Sequence, residues 1–337
     1  MTNVRKLRVA IAGAGMVTRH HLIAWSRASG VEVVALYNRN LDKANIRATE
    51  FNIPRVYSDI EEMLDRERPD ALDIAVAVEA HARFAKMAAE RGIHILCQKP
   101  MAPTLREAEA LVAEIGQRVR FMVHENWRFR PQYRQAGCWM AEGKTGPISE
   151  FRFSTRSSGL LTRAESGRPF ALERQPFMAK MDRFLILELL IHHLDTARFL
   201  VGEMSVVSAR ISRISPEVIG EDVALIMLKA EGGAIGTVSG NFSAAGAPPL
   251  PRDRLELIGD RASILFENDT LSIAGETNET VCFDLDEAYQ SSYDHAISHF
   301  VECLRTGKPF ETDPLDNLKT LKLVDDAYRS ANENRRY

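Results

Sequence analysis

Cysteine is scarce in this chain: four occur in 337 residues. Cys97, Cys138, Cys282 and Cys303 lie far apart, without the spacing of a metal-ligand set or a disulfide framework, so reduced thiols and a cytoplasmic location are expected. Long apolar runs are also missing. The stretch Ala71–Val78 is among the longest, well short of a membrane span. The first six residues are polar and lead straight into an apolar segment, so no secretory signal is expected. No excess of one charge exists either: the net charge is −3, with Lys and Arg spread along the chain, which argues against nucleic acid or an anionic membrane as partner. Internal repeats and low-complexity segments are absent.

What is present is a globular composition, 45% hydrophobic and 26% charged, in a chain long enough for two cores. Short apolar runs at Leu7–Ala12, Val31–Leu36, Ala71–Val78, Ile93–Cys97 and Val119–Val123 read as strands covered on both faces. Helical periodicity fills the intervals at Met16–Ser29, Leu41–Phe51, Ala82–Arg91 and Leu105–Ile115. Strand–helix alternation predicts an α/β domain over residues 1–123, a Rossmann-type parallel sheet with helices on both faces.

The pattern changes after His124. Strand-like runs Ile148–Thr155, Ser205–Ser212, Val223–Leu228, Ala234–Phe242, Arg254–Ile258, Ser263–Phe266 and Thr270–Ile273 follow, several joined by tight turns such as Glu231-Gly232-Gly233. With helices near Leu185–Leu200 and Tyr293–Arg305, residues 124–337 predict an α+β domain on an open, largely antiparallel sheet. The Pro-rich stretch Ala247–Pro251 reads as a loop.

Three segments carry chemistry. Gly13-Ala14-Gly15-Met16-Val17-Thr18 joins an apolar strand to a helix, where Gly13 permits a tight turn and Gly15 lets the backbone approach a pyrophosphate at the helix N-terminus. The third glycine of that fingerprint is Thr18 here. Strand two ends at Asn38-Arg39, where an NAD site usually carries an acid for the ribose diol. Asn38 can hydrogen-bond the diol; Arg39 can meet the 2′-phosphate of NADP or stand in a solvated turn. NAD is the expected cofactor, and NADP stays open.

Lys99 closes the strand Ile93–Cys97 within Gln98-Lys99-Pro100, at the sheet edge where α/β ligands bind. A lysine partly desolvated there polarises a substrate hydroxyl. Glu188 and His192 are four apart on a helix and share a face, with Asp195 three further on. An imidazole suits general base work near neutrality, so His192 is the candidate base. Two bland alternatives stand beside it: a buried histidine satisfied by Asp195, and a metal set of Glu188, His192 and Asp195. The lack of further ligands at recognisable spacing makes a metal unexpected. Asn126, Trp127 and Arg128 follow the last strand of the first domain, where aromatic and amide groups can stack on and hydrogen-bond a polyol; packing of Trp127 and Phe129 into the domain seam is the bland alternative.

Together these residues resemble the Gfo/Idh/MocA oxidoreductases. The resemblance runs almost end to end and takes in His81, Gln98-Lys99-Pro100, the Asn126–Pro131 stretch, Lys144-Thr145-Gly146-Pro147-Ile148 and Tyr328-Arg329-Ser330-Ala331. It implies a catalytic set of Lys99, His192 and Glu188. It implies cofactor contacts at Gly13, Gly15, Met16, Val17, Asn38, Arg39, His81, Gln98 and Lys99, and substrate contacts at Lys99, Asn126, Trp127, Arg128, His192 and Asp195. It further implies oxidation of a sugar or polyol with NAD or NADP, and a homo-oligomer (dimer or tetramer) built on the outer face of the second sheet. Glu125-Asn126-Trp127-Arg128 is similar to a branch that oxidises the branched pentose D-apiose to its lactone. Three residues depart from the family pattern: Gln98 for the usual Glu, Asn38 for the ribose-binding acid, and Glu188 for the frequent Asp. A non-catalytic dinucleotide or sugar sensor and an NAD-assisted lyase or glycosidase are the rival functions.

Overall fold

A computed structural model of the chain describes residues 5–333; the opening segment 1–4 lies outside them. Two compact units are present, Met1–Phe129 with Tyr289–Lys319, and Arg130–Ala288 with Thr320–Tyr337. The chain therefore passes between units at 129/130 rather than 123/124, and residues 289–319, assigned above to the second domain, belong to the first. The physical reason is apolar packing. Tyr293, Ala296, Ile297, Phe300 and Phe310 share one buried cluster with Val9, Ile11, Leu22, Trp25 and Leu36. A helical period shows that a face is apolar, but not which sheet it covers.

The first unit holds six strands: β1 (Leu7–Ala12), β2 (Val31–Tyr37), β3 (Val56–Tyr57), β4 (Ala71–Ile74), β5 (His94–Gln98) and β6 (Phe121–His124). They are all parallel, in the order β3-β2-β1-β4-β5-β6. The direction of winding reverses between β1 and β4, which opens a crevice at the carboxyl ends of those strands. Between the strands run α1 (Met16–Arg27), α2 (Leu41–Phe51), α3 (Ile60–Glu67), α4 (His81–Glu90) and α5 (Leu105–Ile115). α2 and α5 begin where their caps dictate: the Asn40 side chain accepts from the Lys43 N–H and Thr104 from that of Glu107. β4 ends at Ile74, four residues before the apolar run does, because the backbone bends at Val76 and enters a short 3₁₀ segment at Val78–Ala80. α3 and the two-residue β3 are additions that the sequence patterns did not predict.

The second unit contains α6 (Pro131–Ala141), β7 (Ile148–Arg156), the short α7 (Phe170–Arg174) and a π-helical turn at Ile186–Leu190 that runs into α8 (Ile191–Val201). β8 (Met204–Ser212), β9 (Val223–Ala230), β10 (Ile235–Asn241), β11 (Arg252–Gly259), β12 (Ala262–Glu267), β13 (Thr270–Gly275) and β14 (Glu279–Cys282) follow. Two long helices close the chain, α9 (Leu285–Thr306) and α10 (Pro314–Glu333). The eight strands order as β14-β13-β12-β11-β7-β10-β9-β8; only the β7–β10 pair is parallel. The alternation is clean. Ala224, Ile226, Leu228 and Ala230 of β9 are buried, while Leu225, Met227 and Lys229 face out. Burying each large aliphatic on the inner face contributes roughly 1.5–3 kcal/mol. On that inner face Tyr133 of α6 sits edge-on to Phe153 and Phe266.

No described helix is long and apolar enough to cross a membrane.

Candidate active site

Gly13 ends β1 in a conformation that excludes a side chain. Its φ is +123°, and a Cβ there would lie 2.2 Å from the carbonyl oxygen of Ala75. Its N–H donates to the Tyr37 carbonyl at 2.8 Å, tying the turn to β2. Gly15 then precedes α1 with open space where a Cβ would stand. No side chain caps α1, and no acid occupies its first turn. The free N–H groups and the positive end of the helix thus remain for an anion, which fits a dinucleotide pyrophosphate. Thr18, in the place of the third glycine, is fully buried and accepts the Gly15 N–H on Oγ1 at 3.1 Å. The departure is therefore absorbed as a hydrogen bond that braces the turn. Met16, 38% exposed, and the half-buried Val17 follow directly.

The other cofactor candidates lie along the same edge of the sheet. Asn38, just past β2, donates from Nδ2 to the Asn40 carbonyl at 2.8 Å and from its N–H to that of Tyr57 at 3.0 Å. Arg39 is exposed. Gln98 and Lys99, both half-buried, close β5. Lys99 precedes a cis peptide bond to Pro100.

His81 is different. It was expected among the cofactor contacts, yet it is 1% exposed, with Nδ1 facing the Pro100 carbonyl at 2.9 Å and Nε2 facing that of Val76 at 3.1 Å. Burial pushes its pKa down, outweighing the pull of the two carbonyls. Its work is to brace the segment after Lys99 against the turn after β4.

In the second unit Glu188 sits in the π-helical turn and His192 in the first turn of α8. π-Helical turns recur at functional sites because they shift side chains out of the α-helical register. Gly240 of β10 lets this segment approach the sheet: a Cβ there would stand 2.9 Å from Leu190 Cδ2 and 3.1 Å from Leu185 Cδ2. His192 is 5% exposed, and its carbonyl accepts from Thr196 Oγ1 at 2.8 Å. His193 points elsewhere, edge-on to Phe153, with Nε2 2.9 Å from Asp253 Oδ1 and Nδ1 3.2 Å from the Leu189 carbonyl. Asp253 Oδ2 also accepts from Tyr133 Oη at 2.8 Å and Arg130 Nη1 at 3.3 Å. Burial alone would raise the Asp253 pKa, but the charges of His193 and Arg130 hold it far below the usual carboxylate range. This anchor was invisible in the sequence, since Arg130, His193 and Asp253 are widely separated along the chain.

Asp195 lies three residues beyond His192 along α8. It is fully buried and accepts from Thr320 Oγ1 at 3.0 Å, with Arg198 Nη1 3.9 Å away. Among the described residues no group of three or more His, Cys, Asp or Glu is arranged to hold a metal ion.

The Asn126–Arg128 segment is buried. Asn126 is 2% exposed and donates from Nδ2 to Ser292 Oγ at 2.7 Å. Trp127 packs edge-on to Tyr289, and Arg128 donates to the Glu311 carbonyl and the Asp316 carboxylate, each at 3.0 Å. These side chains hold residues 289–316 in the first unit.

Comparison with known proteins agrees with this geometry. Residues 7–124 match the family model described as an oxidoreductase family with an NAD-binding Rossmann fold. Residues 133–265 match the GFO/IDH/MocA C-terminal domain. The chain is 34% identical to a D-apiose dehydrogenase of Paraburkholderia graminis, over 99% of this chain and 90% of that one. A D-apiose dehydrogenase of Rhizobium rhizogenes is 30% identical over 98% and 96% of the two chains. Among solved structures, an oxidoreductase from Agrobacterium radiobacter in complex with NAD+, L-tartaric acid and magnesium superposes with a TM-score of 0.90 at 29% identity, covering 98% of this chain and 97% of that one.

Proposed function

The chain belongs to the Gfo/Idh/MocA family of NAD-binding oxidoreductases, and on that premise we propose that it oxidises D-apiose, or a closely similar sugar, to the lactone. The observation that carries the reading is Lys99 at the carboxyl end of β5, on the same sheet edge as the Gly13 turn. Gly13, Gly15, Met16 and Val17 hold the pyrophosphate, Asn38 and Arg39 the ribose end, and Gln98 and Lys99 border the nicotinamide. The dinucleotide supplies a hydride acceptor when bound. His192 takes the proton of the sugar hydroxyl as the adjoining C–H bond breaks and the C=O bond forms. The Lys99 ammonium stabilises the developing oxyanion, and Glu188 orients His192. Two electrons and one hydrogen leave the sugar carbon; one proton leaves through the imidazole.

The test is reduced-cofactor formation by the purified protein over aldoses and cyclitols, D-apiose included, with NAD and NADP separately. Turnover of D-apiose above the other sugars is expected. Product without net cofactor reduction would make the protein a lyase or glycosidase, and tight dinucleotide binding with no product would make it a sensor. Cofactor choice has its own check. Asn38→Asp places a carboxylate where NADP carries its phosphate, so the NAD/NADP ratio of kcat/KM should rise about tenfold or more. An unchanged ratio would remove Asn38 from the ribose site.

A homo-oligomer is part of the same proposal, supported by the outward row of Leu225 (51% exposed), Met227 (50%) and Ile235 (60%) on neighbouring strands. Leu225→Arg should shift the protein to a smaller species in light scattering; an unshifted mass would place the interface elsewhere. Four cysteines free of disulfides support a cytoplasmic location.

A further inference from the structure

Resting on the catalytic role proposed for Lys99, we propose that Gln98 is a positioning residue for that lysine, oriented by a buried Asp73–His21 pair. In this reading a neutral amide at position 98 is what the two neighbouring histidines require.

The argument begins at the backbone of Lys99. Its N–H can only donate, so the Gln98 atom 2.9 Å away is the acceptor Oε1. The amide nitrogen of Gln98 therefore faces the other way, 2.9 Å from His21 Nε2 and 3.4 Å from His124 Nδ1. An NH2 group only donates, so both ring nitrogens accept. His21 then carries its hydrogen on Nδ1 and gives it to Asp73 Oδ2 at 2.8 Å. The same oxygen receives Trp25 Nε1–H at 2.6 Å. One chain of donors and acceptors thus runs from Asp73 through His21 and Gln98 to the backbone of Lys99.

Little in the surroundings lets this chain rearrange. Asp73, His21 and His124 are fully buried. The two imidazoles lie against each other at a 36° tilt with centroids 4.2 Å apart, and Tyr293 of α9 packs against both at 5.4 and 5.2 Å. The groups facing His21 are Asp73 from β4, Gln98 from β5, His124 from β6, Tyr293 from α9 and Trp25 on its own helix; Asp73 is the one carboxylate among them. A flipped Gln98 amide would set its NH2 against the Lys99 N–H. A glutamate would offer no hydrogen to two lone pairs, and an imidazole would have to take up a proton to sit beside it.

The experiment compares kcat and KM against pH for the wild-type holoenzyme, Gln98→Glu and Gln98→Leu, with 15N-histidine NMR on the same complexes. Wild-type His21 should show the neutral Nδ1–H form. Gln98→Leu should lose tenfold or more in kcat. Gln98→Glu should work at low pH and lose activity as pH rises through the titration of the added imidazole proton, a limb absent from wild type. Its NMR spectrum should show a histidine protonated on both nitrogens. Superimposable pH profiles for wild type and Gln98→Glu would overturn the proposal, as would a wild-type His21 hydrogen on Nε2. Should no sugar be turned over, the dehydrogenase reading fails, while the NMR result still decides the hydrogen-bond chain.

Discussion

Lys99→Met should abolish turnover, lowering kcat by on the order of 10³-fold or more, while the dinucleotide dissociation constant stays within about threefold. Methionine keeps the length of the side chain and removes the ammonium. The phosphate cradle is made elsewhere, by the Gly13 turn, the Gly15 entry into α1 and the Thr18 brace, so cofactor binding does not depend on that charge. A 10³-fold loss corresponds to about 4 kcal/mol of transition-state stabilisation, the size seen when a positioned charge at a developing oxyanion is removed. Steady-state kinetics with fluorescence titration of the dinucleotide measures both quantities. Retained turnover would remove Lys99 from the chemistry; loss of cofactor affinity in step with kcat would make it a binding residue.

Asp253→Ala should cost about 3–5 kcal/mol of stability, because it leaves Arg130 and His193 buried without the carboxylate both approach and takes from Tyr133 its acceptor. The pH dependence has a definite sign. The Asp253 carboxyl is held below its ordinary value in the folded state, so its contribution is present above the unfolded carboxylate range near pH 4 and is lost as pH falls further. The stability gap between wild type and variant should therefore be widest near neutrality and narrow on acidification, measured by urea unfolding from pH 3 to 8. A gap that is constant with pH would mean that packing, not charge, sets the cost. Because His193 adjoins His192 in α8, kcat should fall as well.

Much of the first unit was legible because its signals are local. The covered strands β1, β2 and β5 are near-continuous apolar runs, and α2 and α5 carry their own caps at Asn40 and Thr104. β4 was overestimated because Ala75–Val78 is as apolar as a strand, although the chain leaves the ladder there and bends at Val76. Glu188 and His192 were legible as a pair four residues apart. The π-helical turn that presents Glu188 was not, since no residue type marks one.

The sequence by itself determined the alternation of strands and helices, the glycine turn that admits a phosphate, the order of the lysine and histidine segments, and the family. Those features depend on periodicity and on residue chemistry within a few positions. Tertiary structure alone decided that residues 289–319 rejoin the first unit and which buried partners His81, Asp195 and Asn126 meet. It also decided that Asp73, His21 and Gln98 form one chain, as do Arg130, His193 and Asp253. The reason is that a polar side chain has the same composition whether it meets a ligand or a buried partner. Only folding brings the partner, distant in sequence, within hydrogen-bond reach.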